Sequence, residues 1–206
     1  MNNALGDRIK NAVNGAGLGP LDDAAIDRLS AYVSLILRWN TRVNLTAIRD
    51  EDGMISRHII ESICVSVHLP GGTGALLDFG SGAGLPGIPI AICRHEIQVT
   101  LAESQNKKAA FLMEVVRILK LSAKVHSGRA EVLKTQFDCV TLRAVDKMAG
   151  AVRSAAGLVA PGGWLALMTT AGDVDQLETA SGAAFTWQEP ICLAGGASRV
   201  LLMGQR

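Results

Sequence analysis

Three charged side chains and a cluster of glycines in this chain could act together on one ligand. Asp78 lies inside the short apolar run Ala75 to Phe79, and glycines follow at 80, 82, 84 and 87. Glu103 closes a second run, Gln98 to Ala102, about 20 residues beyond the glycines, the interval at which an acid accepts hydrogen bonds from ribose hydroxyls. Arg143 closes a third, Phe137 to Leu142. Its guanidinium could clamp a phosphate or an acceptor oxygen. A carboxylate inside an apolar strand needs partners. Asp78 therefore either orders the loop backbone or faces a cationic group of a ligand, and the residues alone leave both open.

These groups meet only if the chain positions them. Residues 75–93 read ALLDFGSGAGLPGIPIAIC: a buried strand, a glycine loop, then a helix start with Pro89 in its first turn. That order brings backbone N–H groups against a nucleotide-like ligand. The dinucleotide fingerprint G-x-G-x-x-G fails from Gly80, because position 85 is leucine. S-adenosylmethionine (SAM) carries no phosphate, and an acid near its loop suits its ammonium and sulfonium charges. SAM is the preferred ligand; a dinucleotide and a purely structural glycine turn are the alternatives.

The rest of the chain alternates in the same way. Gln98 to Ala102, Ala123 to His126, Phe137 to Leu142 and Trp164 to Met168 read as strands. Helices are expected after Ser104 as cap, with Phe111, Leu112, Val115 and Leu119 on one face, from Asp146 to Ala160, and from Val174 to Ala180. Pro161-Gly162-Gly163 reads as a turn, and Phe185 to Leu193 with Ser198 to Met203 as a hairpin around Gly195-Gly196. This implies an α/β fold with a mostly parallel sheet and an antiparallel final hairpin. Ligands of such sheets sit at the carboxyl ends of strands, which draws the glycine loop, Glu103, the segment from Gly128 to Glu131, and Arg143 to one crevice.

Before the sheet, residues 1–70 read as an N-terminal helical cap and residues 71–206 as the ligand-binding domain. One helix starts at Asp22 or Asp23 and carries Ile26, Leu29, Val33, Ile36 and Leu37. A second starts after Asp50, with Ile55, Ile59, Ser62, Ile63 and Val67 along one side.

With 206 residues, 49% apolar and 19% charged, the chain is globular rather than disordered. Its net charge of +1 excludes binding to nucleic acid by bulk electrostatics and leaves only a local patch. Arg38, Arg42, Arg57, His58, Lys107, Lys108, Arg117 and Lys120 are candidates for it. The four cysteines, at 64, 93, 139 and 192, form no C-x-x-C pair and suit reduced thiols in a cytoplasmic protein. The opening residues resemble no signal peptide, and no membrane span, metal site or obligate protein partner is expected.

After the fourth strand stands Leu142-Arg143-Ala144-Val145. Neither the N/D-P-P-Y/F run of enzymes that methylate exocyclic amines nor the Pro-Cys nucleophile of those that methylate pyrimidine C5 is present. An acceptor with a free lone pair, such as guanine N7, needs neither activation nor deprotonation.

The chain resembles the RsmG (GidB) family, the small-subunit 16S ribosomal RNA guanine-N7 methyltransferases. The resemblance rests on Trp39-Asn40, Asn44-Leu45-Thr46, Arg57-His58-Ile59 with Ser62, residues 78–92 with Leu85-Pro86-Gly87-Ile88-Pro89, Lys107-Lys108, Arg129-Ala130-Glu131 and Arg143-Ala144. It covers residues 20–165 well and the remainder weakly. It implies a class I SAM-dependent methyltransferase fold, Rossmann-like, that produces S-adenosylhomocysteine and acts on ribosomal RNA or the small-subunit particle. The implied cofactor contacts are Gly80, Leu85, Glu103, Ala130, Glu131 and Arg143, beside Asp78 and Gly82 from the loop motif. Arg57 and His58 are the implied RNA contacts, and Arg143 is the expected catalytic residue. Family members often carry Lys-Gly where this chain has Thr169-Thr170, so another cation must substitute. The alternatives are a SAM enzyme with a protein or small-molecule acceptor, and a non-enzymatic dinucleotide-binding regulator.

Overall fold

Five parallel strands form the centre of one sheet: β1 (Ala75–Phe79), β2 (Gln98–Glu103), β3 (Lys124–Ser127), β4 (Phe137–Arg143) and β5 (Val159–Thr170). The computed structural model describes residues 4–143, 148–193 and 198–206. On the far side of β5 lies antiparallel β8 (Arg199–Gln205), and β8 pairs in turn with β6 (Thr186–Trp187) and β7 (Ile191–Cys192). The order is β3-β2-β1-β4-β5-β8-β6, so winding reverses between β1 and β4. A crevice opens at such a reversal, beyond the carboxyl ends of the strands.

The helices cover both faces. On one lie α1 (Ala4–Gly15), α2 (Asp23–Asn40), the helical run from α3 (Glu51–Gly53) to α4 (Ile60–His68), α5 (Gly87–Cys93) and α6 (Asn106–Ile118). Ile9, Leu29, Tyr32 and Ile63 share one apolar cluster there with Leu76, Ile88 and Phe111. On the other face, α7 (Met148–Ala156) and α8 (Val174–Ser181) pack over Leu77, Val140 and Leu165. Along α2, Ile26, Leu29, Val33 and Ile36 are buried at helical spacing, each contributing about 1.5–3 kcal/mol by removal from water. Asp22 caps the helix, accepting from the Ala25 N–H at 2.6 Å.

Several boundaries differ from the sequence reading. Helix α1 was not foreseen, although Leu5, Ile9 and Val13 recur at intervals of four and the latter two are buried. The helix after Asp50 contains a π-helical stretch, Met54–Ile59, in which the Ile60 N–H bonds to Ile55 O. This extra residue per turn shifts the face that follows, and Val67 ends 52% exposed rather than buried. Ser104 does not cap α6; the N-cap position is Gln105, whose N–H is held by Glu103 Oε1 at 2.7 Å. Helix α7 stops at Ala156, because Leu158 and Val159 are already buried with the sheet and Leu158 O accepts from Phe137 N at 2.8 Å. Pro161-Gly162-Gly163 is therefore not a turn between elements but an irregularity within β5, where Phe137 faces Val159 and Cys139 faces Trp164. The expected hairpin partner of β8 is split into β6 and β7, with Pro190, which has no N–H to give, in the gap. The expected helix start at Asp146 and the turn at Gly195-Gly196 lie outside the described residues.

Candidate active site

A cavity of about 480 Å³ opens beyond the carboxyl ends of β1, β2 and β4. Its floor is the glycine loop, from Gly80 to Ala83 with Leu85. One side is Glu103, Ser104, Gln105 and Lys108; the other is Leu45, Thr46, Ala47, His58 and Arg143.

The loop is held from three directions. Gly80, Gly82 and Gly84 have φ of +70°, +57° and +89°, a region L-residues with side chains disfavour. A Cβ on Gly84 would stand 2.5 Å from Ile88 and 3.1 Å from the Tyr32 hydroxyl, so the loop lies tightly against the helical layer. Behind it, Asp78 is 1% exposed; Oδ1 accepts from the Thr141 hydroxyl at 3.0 Å and Oδ2 from the Gly87 N–H at 3.2 Å. From above, the buried Tyr32 hydroxyl donates to Ala83 O at 2.6 Å. Tyr32→Phe leaves that carbonyl without its donor, and is expected to lower stability by about 1–2 kcal/mol and to weaken SAM binding, as read by urea unfolding and calorimetry.

Glu103 is buried, yet its carboxylate reaches the cavity wall. Oε2 accepts from the Gly82 N–H at 2.9 Å and Oε1 from the Gln105 N–H. Each oxygen keeps a second lone pair, which two vicinal ribose hydroxyls could meet.

Across the cavity, Arg143 joins a buried charged cluster. Its Nη2 lies 2.8 Å from His58 Nδ1 and 3.0 Å from both Arg57 O and Glu61 Oε2. Its Nη1 is buried without a partner among the described residues. Glu61 is fully buried and also meets Arg199 Nη2 at 2.8 Å and Arg57 Nε at 3.5 Å. Three guanidiniums thus surround one carboxylate, leaving an excess of positive charge beside the cavity. Arg199 sits on β8 directly across from Thr170 and brings a cation to this end of the sheet. Sequence reading missed Arg199 and Glu61; only the pairing of β8 with β5 brings residues 138 positions apart together.

His58, an expected RNA contact, lines the cavity on the same side as Arg143. It is 8% exposed, between Arg143 on Nδ1 and Thr46 Oγ1 on Nε2 at 2.7 Å. Burial, then the nearby Arg143 charge, pushes its pKa to about 3, so the ring is neutral near pH 7. Arg143 can only donate; Nδ1 is therefore the acceptor and Nε2 carries the proton. Arg57 keeps a partly exposed side chain at the rim. Asn40 fixes the segment carrying Thr46, accepting from the Leu45 and Thr46 N–H groups at 2.9 and 3.1 Å and donating to Thr46 O and Ile48 O.

Of the expected cofactor residues, Gly80, Gly82, Leu85, Glu103 and Arg143 line the cavity together. Asp78, also expected there, does not line the cavity; its two oxygens meet the Gly87 N–H and the Thr141 hydroxyl. Ala130 and Glu131 lie on the turn after β3, tied to the end of β2 by Gly128 N–H to Glu103 O at 3.0 Å. Ala130 is buried in the apolar cluster of the opposite face and Glu131 is exposed; neither lines the cavity.

Two buried groups set opposing pH dependences. Burial pushes Asp78 up to about 6. Its folded pKa exceeds the unfolded one, so its contribution is fully present below pH ~3.9 and lost as the pH rises through ~6. His58 runs the other way: the unfolded chain takes up its proton first, and stability is lost as the pH falls from about 6.5 toward 3. Between pH ~4.5 and ~6 the two nearly cancel. Asp78→Asn should therefore expose the histidine slope, an added loss of about 1.4 kcal/mol per pH unit on acidification, measurable by urea unfolding across that window.

Fold, loop and carboxylate define the class: a SAM-dependent methyltransferase of the Rossmann-like type. Solved structures of that fold agree. A SAM-dependent methyltransferase from Aquifex aeolicus has a TM-score of 0.59 at 12% identity, covering 74% of this chain and 92% of that one. TYW2 of P. horikoshii, solved with MeSAdo, has a TM-score of 0.58 at 12% identity, covering 72% and 62%.

The sequence comparisons are more specific. The family described as "GidB: rRNA small subunit methyltransferase G" matches residues 25–190, and the chain belongs to this family. Ribosomal RNA small subunit methyltransferase G of Xanthomonas oryzae pv. oryzae (strain MAFF 311018) is 44% identical over 151 residues, 72% of this chain and 70% of the relative. The same-named protein of Neisseria meningitidis serogroup A is 42% identical over 164 residues, 79% and 78%. The chain is thus a SAM-dependent methyltransferase of the ribosomal RNA type. Among the described residues no helix is long and apolar enough to cross a membrane.

Proposed function

We propose that this chain moves the methyl group of SAM to N7 of a guanosine in small-subunit ribosomal RNA, in the cytoplasm. The observation that carries the choice of N7 is that, among the described residues, no carboxylate or imidazole on the cavity wall stands without a hydrogen-bond partner. Glu103 has an oxygen on each of two backbone N–H groups. His58 has its one lone pair on Arg143. An exocyclic amine or hydroxyl acceptor must lose a proton, whereas N7 attacks with a lone pair it already has.

When bound, SAM supplies an electrophilic methyl carbon on a sulfonium. Gly80, Gly82 and Leu85 would pack against it while Glu103 holds its ribose. The adenine would extend past Glu103 toward the turn of Ala130 and Glu131. Arg143, whose Nη1 has no partner among the described residues, would hold an oxygen of the guanosine nucleotide at the donor end, so that alignment and desolvation lower the barrier. The helical layer of residues 1–70 would form the RNA-facing roof. Arg57 and Arg199, the partly exposed members of the Glu61 cluster, would offer charge to the RNA backbone.

The deciding experiment incubates the protein with labelled SAM and ribosomal RNA, free or in small subunits, from cells lacking the modification, then maps 7-methylguanosine. Label at one N7 position is expected. Label in protein or in small molecules would refute this reading.

A further inference from the structure

Thr46 lines the same cavity as Arg143 and Glu103, and its hydrogen bonds leave one role open. A hydroxyl has two lone pairs and one proton. His58 Nε2–H occupies one lone pair at 2.7 Å. The Ile48 N–H occupies the other at 3.2 Å. The direction of the histidine bond is fixed from behind, because Arg143 donates to Nδ1 at 2.8 Å. The Thr46 proton remains, and among the described residues no acceptor takes it. The chain of donors Arg143, His58, Thr46 therefore runs one way and ends in the cavity.

We infer that Thr46 reads the base: its hydroxyl, held as a donor by His58 and Ile48, gives its proton to O6 of the target guanine. This rests on the N7 reading proposed above. The glycine loop and Glu103 take the SAM end of the cavity, which leaves the wall of Thr46, Ala47 and His58 to the acceptor. A purine that presents N7 presents its 6-substituent beside it. Guanine shows an acceptor there, O6, and adenine an amino donor. A hydroxyl whose lone pairs are both filled cannot turn to accept from that amino group, so adenine meets two opposed donors. A threonine free to rotate would tolerate both bases; this one is locked.

The same logic fixes which kinetic constant responds. Methylation draws electron density out of the ring, so a hydrogen bond to O6 is no stronger in the transition state than before it. Its loss belongs in KM, not kcat.

The test compares wild type, Thr46→Val and Thr46→Ser on small-subunit RNA carrying guanosine or 2,6-diaminopurine at the mapped position. The diaminopurine keeps N7 and the 2-amino group but replaces O6 by an amine. Wild type should strongly prefer guanosine. Thr46→Val should raise KM for the guanosine RNA by about tenfold, leave the SAM dissociation constant unchanged, and narrow the preference by about tenfold. Thr46→Ser should restore both. If Thr46→Val slows the two RNAs by one common factor, the hydroxyl merely holds His58 in place and the inference is overturned. If wild type binds SAM but leaves the guanosine RNA unmethylated, the N7 reading itself fails, and this inference with it.

Discussion

Arg143→Ala should lower methyl transfer by about a hundredfold or more while weakening SAM binding by less than about tenfold. The asymmetry follows from where the side chain points. Arg143 lines the cavity; Nη2 is taken by His58, Arg57 and Glu61, and among the described residues Nη1 has no partner. SAM keeps the glycine loop and Glu103, so its affinity depends little on this residue. The proposed acceptor would lose the buried guanidinium of the cavity wall. The fold should survive, because Arg199 and Arg57 still compensate Glu61. Arg143→Lys is a stringent companion, since an ammonium keeps the charge but cannot span His58, Glu61 and the ligand at once. Single-turnover transfer and calorimetry give the two numbers. Equal loss in both would make Arg143 a cofactor residue alone, and full activity would remove it from the site.

Glu103→Ala acts on the other side of the cavity and should show the opposite pattern. Two hydrogen bonds from ribose hydroxyls to a carboxylate are together worth roughly 3 kcal/mol. The substitution also strips the Gly82 N–H of its acceptor and loosens the loop that SAM rests on. SAM affinity should fall by about a hundredfold or more, and saturating SAM should recover part of the rate. Unchanged affinity by calorimetry would mean that the sugar lies elsewhere.

Much of this site can be read in the sequence because its parts are local. A strand, a glycine loop and a helix start are adjacent in the chain, and periodicity places Glu103 and Arg143 at strand ends without knowledge of the fold. Asp78 shows the limit of such reading. Burial inside an apolar strand says that its carboxylate needs partners, but whether Thr141 and Gly87 or a ligand supply them depends on packing. The π-helical stretch is illegible for a related reason: an inserted residue leaves the types unchanged and alters only which face each one shows. Arg199 and Glu61 belong to the last strand and to the helical layer, and nothing local links them. Tyr32 likewise looks like an ordinary core residue of an amphipathic helix until its hydroxyl is seen on the loop.

That last contact makes the two halves of the molecule thermodynamic partners. The Tyr32 hydroxyl joins helix α2 to the backbone of Ala83, and the far end of the same helix carries Asn40, which sets the segment that includes Thr46. If RNA meets the proposed roof, linkage makes any coupling through this helix mutual: donor occupancy would aid RNA binding by the same factor by which RNA aids donor binding. The spent cofactor would then leave most readily once the methylated product has gone.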